Sequence, residues 1–293
     1  AFPDSEVVRD AFYLSDRVSL SESTTFVFGL RHDNYEQKAI EDSLSAAGNP
    51  ANHPLLPRED SETSLKLGVI QDLSDTVSVF AQVAEGYRNP DFTDAYNTYT
   101  NYAFGYTIIP NPDLKAEYST GYELGLRGTK EDVKWSLVLY KNNFKDFIDS
   151  NLYSSPPVNG ILQVRYQNLE SVKTKGVEFE IKRSIGETLS SFAGFALNEA
   201  DNLTNDAITP DQLKYGLSHI SKSGNVSTNY VMTYMADSPR LPPIVGRSGS
   251  TPAVFAPRSI THDVFMDLDL NENFDLRLGI RNITNEKYWD WVS

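Results

Sequence analysis

Apolar and polar residues alternate along most of this chain, and a period of two admits one regular structure, the strand with one buried face. In "TVSVFAQVAEGYR", Val77, Val79, Ala81 and Val83 share one face, and Ser78, Gln82 and Arg88 share the other. "AEYSTGYELGLRG" sets Tyr118, Tyr122, Leu124 and Leu126 against Glu117, Ser119, Glu123 and Arg127. "VKWSLVLYKN" gathers Val133, Trp135, Leu137 and Leu139, while "FDLRLGIRN" opposes Phe274, Leu276, Leu278 and Ile280 to Asp275, Arg277 and Arg281. Similar segments recur near 9–20, 24–35, 62–71, 163–183, 187–199, 211–220, 225–236 and 258–270. The expectation is an all-β chain of about twelve strands, with no helix.

The connections sharpen this. Short turns fall at 21–25, 72–75, 129–132, 184–187, 221–225 and 271–273, and long loops near 36–61, 89–115, 150–162, 200–210 and 237–257. Short and long take turns without exception. In an antiparallel up-and-down meander every second connection lies at the same end, so one rim is trimmed and the other elaborated. Transmembrane β-barrels have that pattern, with short periplasmic turns and long extracellular loops.

Charges on the polar faces agree with a wet lumen. Glu117, Glu123, Arg127, Glu178, Glu180, Lys182, Asp263, Asp267, Asp269 and Arg277 would be costly in the dry core of a sandwich. A soluble protein with its apolar faces turned inward explains the alternation equally well, but not the one-sided loops. A secreted propeller or carbohydrate-active β protein is the rival from another class, yet a propeller repeats its blade at a fixed period and no such repeat occurs.

Composition excludes some functions. A net charge of −14 and a pI near 4.7 argue against nucleic acid as partner. Cysteine is absent, so there is no thiolate metal site or disulfide. No apolar run is long enough for a membrane helix, a test that barrel strands escape. The opening "AFPDSEVVRD" has no signal-peptide pattern, which points to a processed or shortened start.

The segment 84–117 is the odd one. A long loop without its own secondary structure is uncommon unless functional or disordered, and disordered segments are poor in aromatics. This one carries Tyr96, Tyr99, Tyr102 and Tyr106, so a binding loop is expected. The plainer reading of the tyrosines, for Tyr106 above all, is an interfacial aromatic girdle.

The loop's flanks, "GYRNPDFTDAY" and "IPNPDLKAE", resemble the paired FRAP and NPNL motifs of TonB-dependent outer-membrane receptors, most of all the haem and haemoglobin receptor branch. "FVFGLRHDNYEQ", "YQNLESVKTKGVEFEI" and "LRLGIRNITNEKYWDW" are similar to three further strand motifs of that family, in the expected order. The resemblance implies the carboxy-terminal portion, residues 1–293, of a barrel of about 22 strands whose lumen holds a plug. It implies that the plug, the first strands and the last strand lie outside this sequence. It also implies a Gram-negative outer-membrane location, lipid around the barrel, the TonB complex acting through the plug, and import of haem, haem from haemoproteins, or a siderophore.

In that family Arg88, Asn89, Pro90, Asn111, Pro112, Asp113 and Leu114 are motif positions, and their simplest role is to hold the loop's roots. The haem branch would place an iron-binding histidine between the two motifs, and none lies between Arg88 and Asn111. Tyrosine also ligates haem iron. Of His32, His53, His219 and His262, only His53 sits in mid-loop on the outer rim. Haem or an iron chelate is expected as cargo, with no resident cofactor, no metal site and no catalytic constellation. The acidic loop "NEADNLTNDAITPDQ" lacks the ligand spacing of a calcium motif. A passive porin is the third option, and it would lack the plug.

Overall fold

The computed structural model describes residues 3–49, 52–149, 157, 160–201, 210–237, 245–246, 249–250 and 257–288. Its strands in chain order are β1 (Asp4–Ser19), β2 (Thr24–Ile40), β3 (Arg58–Ser74), β4 (Val77–Arg88), β5 (Tyr99–Asn101), β6 (Tyr106–Ile108), β7 (Glu117–Lys130) and β8 (Val133–Asp149). They continue as β9 (Leu162–Val164), β10 (Gln167–Ile185), β11 (Leu189–Asp201), β12 (Gln212–Ile220), β13 (Val226–Met235), β14 (Val245–Gly246), β15 (Gly249–Ser250), β16 (Ser259–Asn271) and β17 (Phe274–Ile280). Twelve of them form one sheet in the order β1-β2-β3-β4-β7-β8-β10-β11-β12-β13-β16-β17. Every neighbour follows its predecessor in sequence once the loop strands are set aside, so the sheet is an up-and-down meander. Short and long links alternate as expected. Most of the acidic loop at 200–210 lies outside the described residues, so its calcium reading is not addressed.

The chain divides into two compact units, residues 1–69, 82–122 and 142–173, and residues 70–81, 123–141 and 174–293. In the second unit the strand registers separate two faces across five strands. Ala193 pairs with Tyr215, Tyr215 with Met232, Tyr230 with Val264, and Met266 with Leu278. The residues between them give the opposite face, where Gly194 meets Lys214, Ser227 meets Asp267, and Asp267 meets Arg277. One face is thus mainly apolar and the other carries the charges, with Asp267 bound to Arg277. Because side chains alternate with period two, a slip of one residue in any pair would exchange the faces.

Glycines on these strands are seats for rings. A Cβ at Gly216 would stand 2.1 Å from Phe192, its cross-strand partner, and one at Gly128 would stand 2.4 Å from Trp135 Nε1. A ring from one strand lies over the bare backbone of the next, which pins register at those points.

In the first unit the apolar part of the strands lies beside the short turn. On β2, Phe26, Phe28 and Leu30 are followed on the same face by His32, Asn34, Glu36 and Lys38. On β3, Leu65, Leu67 and Val69 are preceded on alternate positions by Glu59, Ser61 and Thr63. His32 Nδ1 meets Thr63 Oγ1 at 2.9 Å, so the polar stretches of the two strands share a face. A tilted strand needs about 9–11 residues to cross the hydrocarbon. With 17 residues each, β2 and β3 run well past that span on the long-loop side.

Among the described residues, two short helices correct the expectation of none. α1 (Ser43–Gly48) and α2 (Phe92–Tyr96) each hold about one turn, too little for a 3.6-residue period to show. Both are set by capping boxes: Asp42 accepts from the amides of Leu44 and Ser45, and Asp91 from that of Asp94. The segment 84–117 is therefore folded, not a bare loop.

Candidate functional site

Three long links fold into one cap. α2 follows β4, then β5 and β6 form a hairpin with Tyr99 opposite Ile108 and Asn101 opposite Tyr106. Asn101 closes its tip: its carbonyl accepts from Gly105 N at 2.8 Å and its side chain from Phe104 N at 3.2 Å. Gly105 takes φ +68°, a conformation that glycine adopts without a Cβ clash. The next long link adds a strand, because β9 pairs in parallel with β6, Tyr106 beside Leu162 and Ile108 beside Val164. The first long link packs from the other side. Thr100 Oγ1 donates to the carbonyl of Gly48 at 3.3 Å, and a Cβ at Gly48 would stand 2.8 Å from the carbonyl oxygen of Thr98.

A charged clamp holds the roots. Arg88, at the end of β4, grips Glu117 at the start of β7 through Nε at 2.6 Å and Nη2 at 3.0 Å, and reaches Asp94 in α2 through Nη1 at 2.9 Å. Ile148 N also donates to Glu117, at 2.6 Å, which ties in β8. The two carboxylates are 10% exposed and Arg88 is 48% exposed, so the clamp is sealed on its acidic side and wet on its basic side. Burial pushes Asp94 above its usual carboxylate range even against the pull of Arg88. Asp42 moves the other way, held low by the amide hydrogen bonds of its capping box.

The motif residues complete this framework. Asn111 receives the amide of Asp113 on Oδ1, donates through Nδ2 to the carbonyl of Tyr166 at 2.8 Å, and bonds through its own amide to the carbonyl of Ala95. Arg58 Nη1 donates to the carbonyl of Pro112 at 3.0 Å. Pro90 and Leu114 are buried, Asn89 is half-buried, and Asp113 is exposed. These positions build turns and joints.

The four tyrosines separate. Tyr96 is fully buried; its hydroxyl donates to the carbonyl of Leu56 at 2.6 Å and its ring packs on Phe92 at 5.4 Å. The expectation that Tyr96 is presented to a ligand is corrected: as the last residue of α2, it is the nail between two loops. Tyr102 is 69% exposed at the hairpin tip. Tyr99 and Tyr106 pack against each other at 6.1 Å on one face of the hairpin, part exposed. His53 is half-buried. Its amide bonds to Asn49 Oδ1, and its Nε2 is turned inward with no hydrogen-bond partner among the described residues. It is not displayed with the tyrosines.

Phe104, 73% exposed beside Tyr102, is the residue that reading the sequence missed. The signal was present as an aromatic directly before a turn glycine. Asp94 and Glu117 of the clamp were also missed, because an ion pair across six residues of irregular chain, or across 29, leaves no local pattern.

The family described as TonB dependent receptor-like, beta-barrel matches residues 1–283. Hemoglobin and hemoglobin-haptoglobin-binding protein A of Haemophilus influenzae is 25% identical over 81% of this chain and 24% of its own length. Hemoglobin-haptoglobin utilization protein B of Neisseria meningitidis is 24% identical over 97% of this chain and 38% of its own length. The chain thus spans well under half of these relatives. Among solved structures, the copper transporter OprC superposes with a TM-score of 0.74 at 18% identity, covering 98% of this chain and 43% of that one. The FrpB iron transporter from Neisseria meningitidis gives 0.72 at 15% identity, over 98% and 42%. The two structures establish a common fold, a transmembrane antiparallel β-barrel.

Proposed function

The chain belongs to the TonB-dependent receptor β-barrel family, and from that premise we propose that it captures haem, or haem carried by a haemoprotein, for import across a Gram-negative outer membrane. The observation that carries this reading is the cap. Three long links on one rim converge into a single folded body that displays Tyr99, Tyr102, Tyr106 and Phe104, and rigid aromatics give contact area at low entropy cost. The cargo follows from the relatives, which are named for haemoglobin and haptoglobin binding. Capture and passage need no bond to be made or broken. The cap holds the ligand, and the TonB complex acting on a plug opens a path along the charged faces of the strands. Lipid covers the apolar faces. A second reading, a ferric-siderophore receptor, draws on one observation: no histidine lies between Arg88 and Asn111 to serve as an axial ligand.

Growth of an iron-starved Gram-negative strain that lacks its own receptors tests both readings. Producing the complete gene product should restore growth on haemin or haemoglobin, and only when TonB is active. Growth on a ferric siderophore alone would select the second reading. A folded receptor that supports growth on none of the three would sink both.

A further inference from the structure

Buried polar atoms without a partner are concentrated in one place. Among the described residues they are Gln37 Oε1 and Nε2, His53 Nε2, Arg58 Nε, Asn89 Oδ1 and Arg165 Nε. All five residues stand where the cap meets its strand ends. Gln37 lies near the end of β2, on the face opposite Phe26, Phe28 and Leu30, and its carbonyl is 3.5 Å from the Tyr96 hydroxyl. Arg58 opens β3 and reaches the carbonyl of Pro112, Asn89 follows β4, His53 belongs to the first long link, and Arg165 follows β9. None of the described residues on β11–β13, β16 or β17 carries such an atom.

Gln37 is the extreme case, at 0% exposure with both amide atoms unpaired. In water each atom would be hydrogen-bonded, so closing the cap over this side chain forfeits those bonds without replacing them. Little apolar burial offsets that loss. Besides Pro90, the buried apolar side chains within 84–117 are Ala95, Tyr96, Leu114 and Ala116, two of them alanines. What holds the cap shut is specific and polar: the Arg88 clamp and the paired hydroxyl of Tyr96. A segment with few buried apolar contacts opens at low cost. We propose that the cap is a lid with an open, hydrated state, and that Gln37 sets the balance by destabilising the closed one. Opening wets Gln37, Arg58 and Asn89 at the seat, and closing leaves their atoms unpaired again. The lid goes beyond the receptor reading and holds for any cargo.

The test follows hydrogen exchange in the complete gene product, folded in outer membranes without ligand, through peptides covering 42–49 and 92–111. In the wild type both should exchange together, at least about tenfold faster than peptides from β2 and β4. Gln37→Met keeps the length of the side chain and removes both orphan atoms. It should slow exchange in the cap by about tenfold, because an apolar group of like shape no longer forfeits hydrogen bonds on closing. Gln37→Leu guards against a packing fault particular to Met and should act in the same direction. Tyr96→Phe deletes a hydroxyl that is paired, with Leu56, and should speed exchange. Opposite signs for these two polar deletions are what a lid balanced by Gln37 requires, whereas an amide that supports the closed cap would lose protection in both. Faster or unchanged exchange in both Gln37 variants, or a wild-type cap as protected as β2 and β4, would each overturn the proposal. Neither result bears on the cargo, so the receptor reading stands or falls separately by growth on the iron sources above.

Discussion

The five strands β11–β13, β16 and β17 and the three-link cap use aromatic residues to opposite ends. On the strands, rings either line the apolar face, as Phe195 and Tyr230 do, or lie over a glycine of the next strand, as Phe192 does over Gly216. Their positions follow from period two. In the cap, Tyr96 is buried as a joint while Tyr102, six residues later, is thrust into solvent. Nothing periodic separates those two. A sheet repeats one environment, so its residues can be sorted by parity, whereas a cap is built from single contacts between distant segments.

That contrast can be broken most forcefully at Tyr96. If it is a joint and not a binding residue, Tyr96→Ala should cost the cap about 3–5 kcal/mol, the range for emptying a buried aromatic site. Protease cleavage within 89–116 should appear in folded receptor, with the strands unaffected. An intact cap in that variant would return Tyr96 to the binding surface.

On the strands, Val264→Arg places a charge on the apolar face of β16. It should cost about 2–4 kcal/mol if that face meets the bilayer midplane. Equilibrium folding in lipid vesicles measures this directly, and a cost near zero would turn the face assignment inside out.

Arg88→Ala strips the clamp and leaves two sealed carboxylates without a cation. Breaking a buried pair costs about 3–5 kcal/mol, and the wet half of Arg88 lowers the expectation to about 2–3 kcal/mol. Loss of α2 and β5–β6 order in hydrogen exchange, with β11–β17 protection retained, is the signature to look for.

The smallest effect separates the two capping boxes by pH. Burial raises Asp94 above 3.8, so its ionised form is disfavoured in the folded cap, and its contribution to stability improves as pH falls through the raised value. Asp42 is lowered from 3.8, so its contribution is present above that value and fades as pH falls through the lower one. On acidification Asp94 should take its proton first. Carboxyl carbon shifts in a titration should show Asp94 above 3.8 and Asp42 below it, and the opposite order would mean the burial of α2 is wrongly drawn.

Much of the sheet is legible in the sequence. The expected segments near 24–35, 187–199 and 258–270 fall within β2, β11 and β16 or overlap them closely, and the order of short and long links carried the topology. Strand ends were underread: β2 continues to Ile40 and β3 begins at Arg58, because above the apolar stretch both faces turn polar and the alternation fades. The candidate site was legible as a region but not as a set of residues. The loop and its root motifs stand out in the chain, and Tyr99 and Tyr102 are exposed on its hairpin. Phe104 was missed, and Tyr96 was put on the wrong side of the surface.

Sequence alone determined the strand period, the meander and the charged and apolar faces, because each depends on neighbours a few residues apart. Only the tertiary structure decided that β9 joins β6 in parallel, that Arg88 closes on both Glu117 and Asp94, and that three long links meet in one cap. Apart from Arg88 with Asp94, six positions away, those pairings bring together residues dozens of positions apart. Closing such separations is a balance of loop entropy against a few specific contacts, and no local pattern in the chain records which contacts win.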